Sequence, residues 1–139
     1  MPSPITYVHL QPGSVAFEMT PIPSRFVVVV TDEVTSEWQK LVSDWMVASG
    51  CLYMMAWGHD CSSWDDSVDW ANMDKFGENP IPDDGFVITT WHEDEPLSEV
   101  FWFSKTLAYH HSVDIVQTVI LDISAVSRED ELLSLYNSD

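Results

Sequence analysis

The sequence predicts an α/β fold: a four-stranded, mainly parallel sheet with helices on both faces, making three layers, preceded by a proline-rich N-terminal arm or edge strands. Three observations lead there. From Arg25 onward, short runs rich in β-branched residues alternate with longer stretches of helical spacing, the pattern of parallel strands joined by crossover helices. The run Phe26 to Thr31 does not alternate, since four valines follow Phe26 without interruption, as expected for a central strand covered on both faces. Finally, 139 residues of which 45% are hydrophobic can bury one core but not two. Residues 26–139 are therefore expected to form a single domain, with residues 1–25 an arm packed on it.

After the first strand, Trp38, Leu41, Val42, Trp45, Met46 and Ser49 recur along one helical face. Thr35 or Ser36 can cap its start and Gly50 its end. Leu52 to Trp57 reads as the second strand, broken by Gly58. Ser62 and Ser63 precede Asp65 and Asp66 at the spacing of a capping box, which predicts a helix from about Ser63 to Phe76, ended by Gly77. Pro80, Pro82 and Gly85 make the segment from Glu78 a surface loop. Phe86 to Trp91 is the third strand. Pro96 suits the first residue of a helix, whose buried stripe is Leu97, Val100, Phe101, Ser104, Leu107 and Ala108. His110 and His111 near its end favour the dipole. Val116 to Ile123 is the fourth strand, and Arg128 to Tyr136 a short acidic closing helix. Within the arm, Tyr7 to Leu10 and Val15 to Met19 suit short edge strands, while Pro12, Pro21 and Pro23 prevent a long regular element.

Charge narrows the function. Against 23 Asp and Glu stand five Lys and Arg, a formal charge of -18, which disfavours binding to nucleic acid or to an anionic membrane. No apolar run is long enough to span a bilayer, and Met1 to Gly13 lacks the basic and apolar regions of a secretion signal, so a cytoplasmic location is expected. Cys51 and Cys61 are too few for a disulfide framework or a four-thiolate zinc site, and a strand between them holds them roughly 20 Å apart. Neither a phosphate-binding glycine loop nor a dinucleotide fingerprint is present. No cofactor is expected.

In a parallel sheet the strand-to-helix turns emerge on one edge, where ligands bind. That edge would collect Asp32 and Glu33, then His59, Asp60 and Cys61, then His92, Glu93, Asp94 and Glu95, with Asp122 near the end of the last strand. Three chemistries compete there. Cys61 at a helix start, beside His59 or His92, has the elements of an activated thiol, although Asp60, Asp65 and Asp66 oppose thiolate formation. Asp32, Asp60 and Asp94 are hard oxygen ligands suited to magnesium. The third reading takes the charge itself as the signal. Between residues 60 and 99, twelve of forty are Asp or Glu and Lys75 is the sole Lys or Arg; tryptophans, favoured as interface anchors, are interleaved. The expected function is non-enzymatic capture of a basic protein by Asp60, Trp64, Asp65, Asp66, Asp69, Trp91, Glu93, Asp94 and Glu95, in the manner of an immunity, antitoxin or inhibitor protein. A small enzyme using Cys61 with His59 or His92, or the magnesium set, is the alternative. Self-pairing through the arm leaves the oligomeric state open.

Two segments, A-W-G-H-D-C-S-S-W-D-D-S-V-D-W-A-N from Ala56 to Asn72 and T-T-W-H-E-D-E-P-L-S-E-V-F-W-F from Thr89 to Phe103, resemble a family of small bacterial proteins of unknown function. The resemblance covers roughly Cys51 to Ser124. It implies a bacterial cytoplasmic protein and carries over no catalytic or binding residue.

Overall fold

A computed structural model describes residues 4–138. Five parallel strands, β1 (Ile5–Leu10), β2 (Ser24–Val30), β3 (Cys51–Gly58), β4 (Ile88–His92) and β5 (Gln117–Ile123), lie in the order β1-β5-β2-β3-β4. Among the described residues four α-helices accompany them, α1 (Ser36–Ala48), α2 (Cys61–Phe76), α3 (Leu97–Thr106) and α4 (Glu129–Asn137), with one 3-10 turn at Asp83–Gly85. The fold is α/β, with one strand more than the sequence suggested. The extra strand is β1, whose pairing with β5 joins residues more than a hundred positions apart, beyond the reach of local pattern. Tyr7 to Leu10 thus belongs to an edge strand, whereas Val15 to Met19 forms no strand at all.

Burial follows the pleat. Phe26, Val28 and Val30 of β2 share a core with Trp38, Val42 and Met46 of α1 and with Trp64, Val68 and Ala71 of α2. The alternate residues Val27 and Val29 face Leu97, Val100 and Phe101 of α3 and Leu132 and Tyr136 of α4. Every residue of β2 is buried, as its unbroken apolar run demands. The chain crosses from β1 over β5 to β2 on the α1 side without a helix. Residues 11–23 make that passage by resting Ala16 and Met19 on the core, and two indoles fasten it: Trp38 Nε1 donates to Ser14 O at 2.7 Å and Trp45 Nε1 to Phe17 O at 2.7 Å. The path from β2 through β3 to β4 uses that same face, and the return by α3 uses the other. All crossovers therefore share one hand, as parallel strands require.

Local chemistry shifts several boundaries. Thr35 caps α1 by accepting from Trp38 N at 3.2 Å, as expected, although Leu41 on the anticipated apolar face is exposed. The capping box at Ser62–Asp66 does not form. Instead Asp60 precedes α2 in a left-handed conformation with no side-chain cap, and Ser63 Oγ donates to Asp60 O, so the helix begins two residues early. Pro96 stands before α3 rather than in it, and the helix stops at Thr106. Leu107 is consequently exposed, and His110 lies beyond the helix, accepting at Nδ1 from the Ser112 and Val113 amides.

Candidate functional site

The strands end level. Leu10 and Val30 both stand opposite Ile123, Val30 stands opposite Gly58, and Trp57 opposite His92, so the turns that follow open onto one rim. Between β3 and β4 the chain diverges, α2 to one face and α3 to the other, and a crevice opens of the kind where α/β folds bind ligands. Gly58, Asp60, Cys61 and the run from His92 to Glu95 line it. A second hollow, between the turns after β2 and β3, holds Asp32, Glu33, His59 and Asp60. Asp60 borders both.

The backbone around the crevice is held in uncommon conformations. Asp60 (φ 50°) and Asp94 (φ 59°) are the non-glycine residues with left-handed backbone among the described residues, and each such conformation costs on the order of 1 kcal/mol. One ends the turn after β3 and the other lies in the turn after β4, so they stand at the two lips of the same crevice. Gly58 (φ +104°) is equally constrained, because a Cβ there would meet the Val30 carbonyl oxygen at 2.0 Å. His59 N donates to that same oxygen at 2.8 Å. These contacts fix the direction in which the acidic turn leaves the sheet.

Of the residues expected to do nucleophilic chemistry, Cys61 and His92 share the crevice and His59 lines the other hollow. Cys61 is 1% exposed; burial pushes its thiol up and the nearby Glu93 charge adds to this, while backbone hydrogen bonds act in the opposite sense. His59 is exposed and lines the second hollow, apart from Cys61. Both nitrogens of His92 are engaged, Nε2 at 2.9 Å from Thr90 Oγ1 and Nδ1 at 3.0 Å from Glu95 Oε1, and its ring packs edge-on against Phe103. Nor do Asp32, Asp60 and Asp94 converge as a magnesium set: Asp32 and Asp94 belong to different hollows. Among the described residues, the three carboxylates that do converge are Asp65, Asp66 and Asp69.

The proposed contact residues divide by burial. Trp64 is 1% exposed and Asp65 8%; Trp64 fills the core beneath α2 and is unavailable to a partner. Glu95 is half-buried, its side chain bonded to His92 and its carbonyl accepting from Trp57 Nε1 at 2.7 Å. Asp69 is half-buried and accepts from Thr89 Oγ1 at 2.8 Å. Asp60, Asp66, Glu93 and Asp94 remain exposed, as does Trp91 at 50%. Trp70 joins them on α2 at 65%, one helical turn from Asp66.

Asp122, expected at the rim, points instead to the face that carries α4. It is fully buried, accepting from Tyr7 Oη at 2.5 Å and from Arg128 Nη2 at 2.7 Å. Burial alone would raise its pKa; the hydrogen bonds from Arg128, Tyr7 and Ser124 and the guanidinium charge outweigh that and hold it below the ordinary carboxylate value. No short motif announces this triad, which joins β1, β5 and the start of α4.

No helix among the described residues is long and apolar enough to cross a membrane. No curated protein matches the sequence. A family model described as a domain of unknown function, DUF7684, matches residues 5–139, taking in β1 and the passage to β2 as well as the Cys51–Ser124 stretch that carries the resemblance. The chain belongs to this family of domains of unknown function.

Proposed function

We propose that this chain is a non-enzymatic binding protein that captures a basic protein partner, in the manner of an immunity, antitoxin or inhibitor protein acting in a bacterial cytoplasm. The observation that carries the reading is the uncompensated acidity of the rim and the neighbouring face of α2. Asp60, Asp66, Glu93 and Asp94 are exposed there without an ion-pair partner among the described residues; Trp91 on β4 and Trp70, one helical turn after Asp66 on α2, are exposed as well. The rim is a charged surface with aromatic anchors, built on turns whose backbone is already fixed. Such a surface steers a cationic partner by charge and holds it by the rings. Enzymatic use of the crevice has less support, because the buried Cys61 is held toward its neutral form and His92 is already bonded at both nitrogens.

The test compares the wild-type protein with an Asp60→Asn/Asp66→Asn/Asp94→Asn variant and with Trp91→Ala as bait for a lysate of the source cells, at about 0.05 M and about 0.5 M salt. The expected result is one basic protein retained by the wild type at low salt, released at high salt, and weakened at least tenfold by either variant. A retained protein that tolerates high salt and binds both variants equally would overturn the reading, as would the absence of any retained protein.

A further inference from the structure

We propose that Asp65, Asp66 and Asp69, on the side of α2 next to β4, form a binding site for a divalent cation of calcium's size. Residues at positions i, i+1 and i+4 of a helix bring three side chains to one patch, and here each offers one carboxylate oxygen, all within 4.8 Å of one another. Calcium takes oxygen ligands at about 2.3–2.6 Å, so two ligands across the ion lie up to about 5 Å apart, and it tolerates irregular geometry. Magnesium, at about 2.1 Å in a strict octahedron, would require the three oxygens to close up.

A second observation points into the same place. Asp65 is 8% exposed, and its Oδ1 is shielded from solvent without any hydrogen-bond donor. A buried carboxylate oxygen in that position is unfavourable, and buried polar atoms in folded proteins nearly always have a partner. No lysine or arginine among the described residues pairs with any of the three acids. Lys40, on the neighbouring helix, donates to Asp44 and forms a looser ion pair with Asp74 instead. A cation would neutralise the cluster and satisfy the orphaned oxygen together, with the Thr89 hydroxyl at hand as a further oxygen ligand. The competing resolution is a proton held between carboxyl groups. The cluster shares Asp66 with the surface proposed for partner capture, but its test reads cation binding through Asp65 and Asp69, which the capture variants leave intact, so either reading can fail alone.

Terbium, a luminescent calcium substitute excited through the neighbouring Trp64, probes the site directly. Measurements in about 0.15 M NaCl hold general screening constant. The expected result is saturable terbium emission displaced by calcium, with a rise in Tm of about 5 °C in excess calcium. Asp65→Asn and Asp69→Asn should each abolish both responses, while Asp83→Asn/Asp84→Asn in the loop before β4 should leave them intact. An absent terbium and calcium response in the wild type overturns the proposal. A response that survives in Asp65→Asn and Asp69→Asn overturns it equally, as diffuse screening.

Discussion

Asp122 and Arg128 form the ion pair on which a single substitution should act most strongly. Asp122 is fully buried, while the Arg128 side chain keeps 29% of its surface, so the two members are not equivalent. Removing Asp122 leaves a guanidinium that can turn toward water. Removing Arg128 leaves a carboxylate that cannot. Arg128→Met keeps much of the side-chain volume and should cost about 3 kcal/mol at neutral pH, more than Asp122→Asn. The pH dependence gives an independent check. In the wild type the Asp122 pKa is depressed, so its contribution is present above the unfolded value near 4 and lost as pH falls through the folded pKa. Arg128→Met removes the hydrogen bond and charge that oppose burial most strongly, so the expected direction reverses and protonation should relieve the variant as the pH falls. The difference in Tm between wild type and variant should therefore shrink between about pH 7 and about pH 4. A constant difference across that range would show that the pair contributes packing rather than charge.

At the scale of elements, the passage over residues 11–23 does the work of a crossover helix with two indole hydrogen bonds and little buried area. Trp38→Phe/Trp45→Phe keeps an aromatic ring at each position but removes the donors to Ser14 O and Phe17 O together with part of the packed indole, and should cost at least about 2 kcal/mol. It should also speed chymotrypsin cleavage next to the exposed Phe17 before the sheet unfolds. An unchanged cleavage rate would mean that Ala16 and Met19 hold the segment by themselves. This is the region in which sequence was least informative, and the reason is distance. The apolar run of β2 and the helical stripe of α1 carry their burial pattern locally, so both could be read from spacing. The pairing of β1 with β5 has no local counterpart, so Tyr7 to Leu10 could be read as an edge strand but not given its place in the sheet. The rim was legible because it follows from parallel topology alone: wherever the strands end, Asp60 and Asp94 must lie on that side. What the rim residues do was not legible, because it depends on helix phase. α2 starts at Cys61 rather than Ser63, and its packing turns Trp64 into the core, buries Asp65 and brings Asp69 beneath Thr89. The capping-box spacing of Ser62 to Asp66 carries no trace of this, since the left-handed Asp60 takes over the start of the helix.

For the whole molecule the decisive quantity is the charge of -18, and how few cations answer it. Four of the five are tied to the fold. Arg25 donates to Ala108 O and Thr118 Oγ1, Lys105 to the carbonyls of Tyr136 and Ser138, Arg128 to Asp122, and Lys40 to Asp44. Lys75 lies over the Phe76 ring. The exposed carboxylates of the rim and of α2 therefore repel one another more in the compact state than in the expanded chain, which lowers stability. Screening should relieve this. Between about 0.01 M and about 0.3 M NaCl the Debye length falls from about 30 Å to below 8 Å, and Tm should rise by several degrees, then level off once screening reaches neighbouring charges. Equal ionic strengths of potassium chloride should do the same. A flat response would show that the carboxylates are spaced widely enough for water alone to suffice. The same salt series should move partner capture the other way, because attraction to a cationic surface is screened along with the self-repulsion. Fold stability rising while retention falls, in identical buffers, is the joint signature of a surface whose charge serves binding at the expense of the free protein. Retention that climbs together with Tm would assign the contact to Trp91 and Trp70 instead, with the acids serving only solubility.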